Sequence, residues 1–299
     1  MSTAARAAVE RRIRQALSAS DAEAAIDALE PSIRVRAQRS EGLPLGASLI
    51  GGAPDVPRGF AWPSWRARRT TFTATLEQVE GEPEEIPLAF IAQIRLADLA
   101  PFEVASRLPR SGWLLFFFDA DTQPWGFEPT HAGGARVVHV EAPADSLVRT
   151  AGGSADFTSS ACAVTFHPSW TLPEEIPAAI TSLAAKDAYV DVRGELDGLD
   201  PAVVHRMFGE ADAIQGDMRL ETELVTNGLS CGDATAYADP RRPMFEAQKS
   251  EWQLLLQIDS DEEGPGWMWG DAGRIYFWIG RADLHAARFD RTWTILQCL

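Results

Sequence analysis

The sequence predicts an α+β fold that is mainly antiparallel β-structure, formed by two degenerate internal repeats and preceded by a helical arm. Of its 299 residues, 45% are hydrophobic and 23% are charged, which is typical of a globular chain with a packed core. Beyond residue 42, short apolar runs are broken by Gly and Pro, as in strands joined by turns. These runs cluster with few helical segments between them, which argues against an alternating parallel fold.

Residues 1–40 predict the helical arm. Apolar positions between residues 3 and 17 recur near helical spacing, opposite a face of Arg and Glu side chains. Asp21 can cap a second helix, which Pro31 ends because proline lacks a backbone donor. We therefore expect this arm to pack on one compact domain that spans residues 41–299.

The strands of this domain are predicted from seven apolar runs. The run at 113–118 is apolar at every position, which indicates burial on both faces of a sheet. Helices are expected near residues 96–108, 177–185 and 201–208. The predicted strands are residues 87–96, 113–118, 136–140, 163–166, 252–258, 274–279 and 292–296.

Two stretches of the domain are similar in sequence. An apolar run containing Gln93 is followed 19 residues later by Gly112 and a second apolar run. A similar run containing Gln257 is followed 16 residues later by Gly273 and another. This similarity predicts a duplicated unit, with halves at about residues 45–150 and 200–299.

The net charge limits the classes of partner. The chain carries 27 Lys plus Arg against 43 Asp plus Glu, a formal charge of −16. Phosphate backbones and anionic lipid surfaces repel such a chain, so we expect no nucleic-acid and no membrane partner. A protein partner would be less acidic or basic.

The cysteines and the apolar segments predict a cytoplasmic protein. Cys162, Cys231 and Cys298 are an odd number with wide gaps, which matches neither a disulfide framework nor a Cys-x-x-Cys motif. The N-terminus lacks the apolar region of a signal peptide, and no stretch approaches the 18 or so apolar residues that span a bilayer.

The segment 259–271 is the strongest candidate for a functional loop. It places Asp259, Asp261, Trp269 and Asp271 directly after an apolar strand, among several glycines. The first two match the opening of a calcium loop, in which oxygens at alternate positions converge on the ion. The twelfth position of that motif is a glycine here, so a solvated acidic turn and a site for another ligand stay open as alternatives.

Further candidate residues lie elsewhere in the two halves. Asp119 and Trp125 form a looser counterpart of this loop in the first half. Gln93 and Gln257 interrupt apolar strands, and Gln215 follows a turn that contains glycine. A buried amide without a partner costs about 1–3 kcal/mol. The amides therefore either make structural hydrogen bonds or line a cleft between the halves.

Catalytic signatures do not occur in the sequence. It has no Gly-x-Ser-x-Gly elbow, no His-Glu-x-x-His and no Walker loop, and its five histidines are isolated. We assign no catalytic residue, no metal ligand and no cofactor. Carboxylate pairs leave acid–base chemistry open.

Several motifs in the domain carry a resemblance to a known family. They are Leu-Ile-Gly-Gly-Ala-Pro-Asp-Val-Pro at 49–57, Phe-Ala-Trp-Pro at 60–63, Pro-Leu-Ala-Phe-Ile-Ala-Gln-Ile at 87–94, Trp-Gly-Phe at 125–127, Ile-Gln-Gly-Asp-Met at 214–218, Leu-Leu-Gln-Ile-Asp-Ser-Asp at 255–261, Met-Trp-Gly-Asp-Ala-Gly at 268–273 and Thr-Ile-Leu-Gln-Cys at 294–298. In this order they resemble the YwqG-like family of bacterial proteins, over about residues 43–299. The resemblance implies a soluble, cytoplasmic α+β protein without established catalytic residues. Some relatives are associated with toxin–immunity loci, which implies a protein-binding role.

Two hypotheses for the function follow. The first is a non-enzymatic, protein-binding module of an immunity-like kind, whose acidic, Trp-bearing surface engages a less acidic or basic protein. The alternative is a small-molecule or Ca²⁺ binding protein, or an enzyme, with a carboxylate-lined site between the halves. The candidate binding residues for both are Gln93, Asp119, Trp125, Gln215, Gln257, Asp259, Asp261, Trp269 and Asp271.

Overall fold

A computed structural model of the protein describes residues 3–68, 70–72, 78–154, 157–198 and 203–299. Its strands are β1 (Glu30–Arg39), β2 (Leu49–Ile50), β3 (Asp55–Pro57), β4 (Ser64–Ala67), β5 (Thr70–Phe72), β6 (Gln78–Glu80), β7 (Glu84–Pro87), β8 (Ala89–Arg95), β9 (Trp113–Phe118), β10 (Ala135–Val140), β11 (Leu147–Arg149), β12 (Cys162–Thr171), β13 (His205–Met207), β14 (Trp252–Asp259), β15 (Arg274–Gly280) and β16 (Trp293–Gln297). Its α-helices are α1 (Thr3–Ala16), α2 (Ala19–Asp27), α3 (Leu183–Gly198), α4 (Arg219–Thr226), α5 (Arg242–Gln248) and α6 (Arg281–His285). Short 3₁₀-helices span Leu96–Leu99, Glu103–Ala105, Pro129–His131, Ala144–Ser146, Ala236–Ala238, Lys249–Glu251 and Phe289–Arg291.

Ten of the strands form one antiparallel sheet that is nearly barrel-shaped, in the order β10-β9-β8-β2-β12-β1-β13-β14-β15-β16. Phe116 on β9 and Phe277 on β15 show how strongly the sheet curls. In a flat sheet with strands about 4.8 Å apart, they would lie roughly 34 Å apart. Their ring centroids are 5.2 Å apart, because the two rings meet across the interior. The predicted α+β, mainly antiparallel fold is confirmed.

All seven predicted strands form, whereas the predicted helices are partly wrong. The region 96–108 holds two short 3₁₀-helices, and only the last part of 177–185 is helical. Within 201–208, the residues from His205 to Met207 form β13, because their backbone pairs with β1 and β14 on either side. That pairing involves residues distant in the sequence, which local periodicity does not reveal.

Residues 30–39 of the predicted arm form β1, a central strand of the sheet. This strand pairs with β12 over ten positions, from Glu30 with Thr171 to Arg39 with Cys162. Its four residues at 32–35 are all buried, so polar and apolar side chains are both covered. Pro31 stands at the second position of the strand, near its end, where proline is tolerated in a sheet.

The three longest helices pack together over one end of the central strands. A buried cluster joins Ile13 of α1, Ile26 of α2 and Tyr189 of α3 to Trp170 on β12. Ser18 caps α2 by accepting a hydrogen bond from a backbone N–H of its first turn. No helix within the described ranges is long and apolar enough to cross a bilayer.

Glu221 on α4 is a titratable group within a small satellite cluster. The cluster is formed by α4, α5 and the segment between them, with Leu224 and Phe245 buried at its centre. Desolvation raises the pKa of the Glu221 carboxyl from 4.5 to about 7. The folded chain therefore holds this proton more tightly than the unfolded chain.

We expect Glu221 to make stability depend on pH. Its raised folded pKa contributes stability that is fully present below 4.5 and is lost as the pH rises through about 7. The shift corresponds to at most about 3 kcal/mol. Urea denaturation at pH of about 5 and about 8 should show a larger difference for the wild type than for Glu221→Gln, with the exposed Glu251→Gln as the control. Equal pH dependence in wild type and Glu221→Gln would contradict this assignment.

Candidate functional site

The two acidic turns found in the sequence, at 119–127 and 259–271, are in direct contact. Gly270 donates its backbone N–H to the side-chain oxygen of Gln123 at 2.8 Å. The carbonyl of Trp125 accepts a hydrogen bond from the edge strand β16 at 3.0 Å. These contacts join the two ends of the sheet along a line that we call the seam, formed by the two turns and β16.

Asp119 is buried at the seam, and its carboxylate stabilises the turn that follows it. Its carboxylate accepts hydrogen bonds from the backbone N–H groups of Asp121 and Thr122, at 3.0 and 3.1 Å. The indole N–H of Trp65 donates to the same carboxylate at 2.9 Å. This carboxylate therefore binds groups of its own chain and is not presented to solvent.

Asp259 and Asp261 are also buried and bound internally. Asp259 accepts the backbone N–H of Val204 at 2.7 Å and forms an ion pair with Arg274 at 2.9 Å. Asp261 accepts the backbone N–H of Gly264 at 2.6 Å. The calcium reading gains no support from this geometry, and the described residues hold no group of three or more His, Cys, Asp or Glu that could bind a metal ion.

Gln93 and Gln257 are buried in corresponding arrangements. The side-chain oxygen of Gln93 accepts the backbone N–H of Asp55 at 2.7 Å, and that of Gln257 accepts the backbone N–H of Asp212 at 2.9 Å. Each amide nitrogen donates to a backbone carbonyl, at 2.8 and 2.7 Å. Both amides have the partners that the structural interpretation required.

The remaining candidates divide between core and surface. Trp269 is fully buried and packs against Trp267, with ring centroids 5.1 Å apart. Trp125 is 38% exposed, and Gln215 and Asp271 are exposed as well. Six of the nine sequence-derived candidates are thus interior groups, and only these three reach solvent.

His205 lies in the floor of a cavity of about 480 Å³ beside β1. Its Nδ1 accepts the backbone N–H of Asp259 at 3.1 Å, so the ring proton is on Nε2, which lies 3.4 Å from Asp261 Oδ2. Burial alone would raise the pKa of Asp261, but hydrogen bonds from His205 and Gly264 hold it below its ordinary value. No lone pair of the imidazole is left for a base.

A cavity of about 510 Å³ opens at the other end of β1. It lies beside the residues that follow β13 and the first residues of β14. Four arginines from distant parts of the chain line it, and none of them was a sequence candidate. We call it the arginine cavity. Its charged and aromatic walls are formed by Arg6, Arg107, Arg219, Arg281, Trp170 and Phe208.

The arginine cavity gathers four arginines in a chain that carries a charge of −16. Two glutamates, Glu30 and Glu103, line it as well. Arg219 forms an ion pair with Glu210 at 2.8 Å, and Arg6 pairs with its helix neighbour Glu10 at 2.7 Å. Arg107 forms no ion pair with any described residue, and neither does Arg281.

The carboxyl of Glu30 lies near the arginines of the cavity, and its pKa reflects their charge. Desolvation raises the pKa of this lining carboxyl, and the nearby Glu210 raises it further. Arg219, Arg281 and Arg107 oppose the increase, which places all three guanidinium groups within electrostatic reach of one point. Glu30 is nevertheless an exposed residue at the start of β1, so its carboxyl remains in contact with solvent.

Two residues that line the cavity each have a buried donor atom without an acceptor, and both atoms are closed off from solvent. The indole Nε1 of Trp170 and the amide Nε2 of Gln253 make no hydrogen bond to any described residue. Leaving such a group unpaired costs about 1–3 kcal/mol. The guanidinium of Arg6 lies 4.7 Å from the centre of the Trp170 ring and covers one face of the indole in a cation–π contact.

Phe208 adds backbone strain at the cavity. Its φ is +59°, in the left-handed region that bulky residues avoid, and it precedes Gly209 at φ +70°. Such a conformation costs on the order of 1–3 kcal/mol and persists where the surroundings enforce it. Strain of this kind concentrates at binding sites, which makes this wall a candidate site on independent grounds.

Sequence reasoning missed this site because its residues share no motif. Positions 6, 107, 219 and 281 belong to different elements and meet only in the folded chain. The one available signal was the preference for Arg, since only Lys186 and Lys249 are lysines. That preference alone does not say which arginines converge.

A family model for DUF1963, a domain of unknown function, matches residues 48–298. The chain belongs to this family. The DUF1963 match covers β2 to β16, while α1, α2 and β1 precede it. It confirms the expectation of a family without an assigned function. Among the curated proteins, none matches the sequence.

Replacing Gln257 by Leu should lower the free energy of unfolding by about 2 kcal/mol or more, because it leaves a buried N–H and a buried carbonyl unpaired. Gln93→Leu should act in the same way. Exposed Gln215→Leu is the matched control and should change stability little. Denaturation in urea measures all three. A Gln257→Leu protein as stable as the wild type would show that these hydrogen bonds do not support the fold.

Proposed function

We propose that this DUF1963 protein is a non-enzymatic binding protein that holds a small molecule in the arginine cavity. One observation carries the proposal: a concave space of about 510 Å³ brings together arginines and an indole from separate elements of the chain. Ligand sites are clefts of about 300–1,000 Å³ with apolar walls and a few polar groups.

The groups that line the cavity favour binding over catalysis. The described lining residues include no His and no Cys, and their only hydroxyl is that of Ser106. A nucleophile needs an adjacent base, and the described lining offers only the carboxyls of Glu30 and Glu103 for acid–base chemistry. Guanidinium groups supply positive charge and hydrogen bonds without exchanging a proton.

We also propose that the two halves of the sheet arose by duplication. Ile91 is the extra residue of a bulge between β8 and β9, and Leu255 is the extra residue of a bulge between β14 and β15. Each lies two residues before a buried glutamine, Gln93 or Gln257. The matched amide hydrogen bonds support the same proposal, because chance resemblance would not reproduce both bulge and bonds.

Under this proposal the arginine cavity is an asymmetric feature. Gly51 occupies the position in the first half that corresponds to Phe208, and both have positive φ. At Gly51 the space is filled, since a Cβ there would lie 2.3 Å from the carbonyl oxygen of Ser160. Phe208 is buried as well, but it also lines the arginine cavity. A site in one half only is what a binding role acquired after duplication would produce.

A second candidate function is protein binding at the seam. Trp125, Met268 and Leu299 are 38%, 43% and 83% exposed, and the backbone carbonyl of Asp271 accepts the backbone N–H of Leu299 at 3.0 Å. Apolar side chains together with the exposed Asp271 suit a partner that is less acidic or basic. This surface keeps the earlier hypothesis and two of its candidate residues, Trp125 and Asp271.

The thiols support a reducing, cytoplasmic setting as part of the proposal. Cys162, Cys231 and Cys298 are free in the structure. Desolvation raises the pKa of Cys162 and of Cys231 to about 11, so neither is a reactive thiolate at neutral pH.

Ser106→Trp tests the cavity. Its exposed side chain stands on the cavity wall, so an indole there should block ligand entry without disturbing the core. Thermal-shift screening of a small-molecule library should give stabilising compounds for the wild type that no longer stabilise the variant. Ala97→Trp, exposed outside the cavity, should keep the response. Compounds that stabilise Ser106→Trp as well as the wild type would place the binding elsewhere.

Trp125→Ser with Met268→Ser tests the seam. The pair should abolish capture of any protein partner that the wild type retains, because it removes exposed apolar area from one patch. Compound binding in the cavity should not change. Undiminished capture by the double variant would exclude the seam as the docking surface.

A further inference from the structure

We infer that the edge of β1 at residues 36–39 is a docking site for an extended peptide segment of another protein, which adds to the sheet as an antiparallel strand. The site is the cavity of about 480 Å³ beside β1, which we call the edge groove. It lies at the opposite end of β1 from the arginine cavity and does not depend on a ligand there.

Beyond Val35, β1 has a strand partner on one side only. On one side it pairs with β12 over its whole length, from Glu30 to Arg39. On the other side it pairs with β13 at three positions, from Ile33 to Val35. Residues 36–39 therefore form an edge inside the strand order of the large sheet.

The hydrogen-bond pattern shows which backbone groups face the edge groove. Ser40 donates its N–H to the carbonyl of Ala161 at 3.0 Å, one position beyond the last pair of the ladder. In an antiparallel ladder, residues bonded to the partner strand alternate with residues whose backbone groups face the other way. Gln38 therefore faces β12, whereas the N–H and C=O groups of Ala37 and Arg39 face the groove. These four groups make no hydrogen bond to any described residue.

The chain before β13 does not continue the ladder because its polar groups are bound elsewhere. The carbonyl of Val203 accepts a hydrogen bond from the Arg34 side chain at 2.9 Å. Val204 donates its N–H to Asp259 at 2.7 Å, and its carbonyl accepts the amide of Gln257 at 2.7 Å. Extending β13 along β1 would break these bonds, so the described chain leaves the edge unfilled.

The edge groove is open to solvent at its backbone groups. Gln38 and Arg39 are exposed, and Ala37 is half-buried. The guanidinium of Arg39 closes one end of the groove, because it donates to the carbonyls of Glu262 and Gly264 at 3.1 and 2.5 Å. A peptide can therefore reach the edge from outside, and its length along β1 is limited at this end.

Proline blocks the equivalent donor on β12 but not on β1. Pro168 lies opposite Ile33, at a position where an N–H would face away from β1. That edge is also open, since β12 pairs with β2 only at its first two residues. Edge strands use proline in this way because it removes a donor that another chain could bind. Residues 36–39 include no proline, so the edge of β1 keeps its donors.

The edge favours a peptide backbone as its occupant. Donors and acceptors follow one another along it at the spacing of a strand, and a second extended backbone presents the complementary order. The side chains of that peptide would alternate as well. A residue opposite Ala37 would lie on the apolar face of Val35, and the next residue on the exposed face of Gln38. A segment in which small apolar and polar residues alternate therefore fits the groove.

The experiment is an NMR titration of the ¹⁵N-labelled wild type with the blocked peptide acetyl-Thr-Val-Thr-Val-Thr-amide. We expect the amide signals of Ala37 and Arg39 to move, with a dissociation constant below about 10 mM. In antiparallel pairing the two valines lie opposite these residues, so their N–H groups face the edge. N-methylation of both valines should weaken binding by at least about tenfold, whereas N-methylation of two threonines should change it by less than about twofold.

Ala37→Pro tests the edge from the side of the protein. It removes the N–H that faces the groove and leaves the bonds to β12 intact, as Pro168 does on the other strand. Peptide binding should fall by at least about tenfold, while Ala37→Ser, which keeps the N–H, should bind like the wild type. If Ala37→Pro does not fold, the two N-methylated peptides still decide the question on the wild type.

Hydrogen exchange of the free wild type provides a second measurement. The amide of Ala37 should exchange fast and that of Gln38 slowly, because only the second is bonded to β12. Slow exchange of Ala37 in the monomer would overturn the inference, since the edge would then be filled by this chain. Equal binding of the two N-methylated peptides, or no movement of the Ala37 and Arg39 signals, would overturn it as well. A dimer whose assembly protects Ala37 would assign the edge to a second copy instead of a peptide.

Discussion

The antiparallel pairing of β1 with β12 is the contact on which the rest of the structure depends. β1 precedes the strands of the first half but pairs with β12 and β13, while β12 pairs with β1 and β2. These two strands therefore join β2 and its neighbours on one side of the sheet to β13 and its neighbours on the other, and ten paired positions hold them together. The arginine cavity opens at one end of this pairing, where Pro31 lies opposite Trp170.

The acidic turns serve the closure of the sheet. A sheet that curls until its edges meet needs its end turns held in fixed positions, and buried carboxylates do this by accepting backbone N–H groups. Asp119, Asp259 and Asp261 all act in this way. The same carboxylates that suggested a binding loop are therefore largely used to build the scaffold.

Sequence patterns predicted the parts of the fold that depend on local periodicity. The apolar strands β8, β9, β14 and β15 were visible, and so were the two glutamines that interrupt β8 and β14. β1 was assigned to the arm, because its burial on both faces comes from long-range pairing. The cavity was not predictable, since four arginines from separate elements converge only after the sheet has closed.

The account depends on β1 being a central strand of the sheet, paired with β12 along its whole length. The direct measurement is backbone hydrogen exchange, followed residue by residue. The buried residues 32–35 of β1 should exchange as slowly as their partners in β12, because both strands open only with the sheet. Fast exchange at residues 32–35 while β12 stays protected would contradict the account.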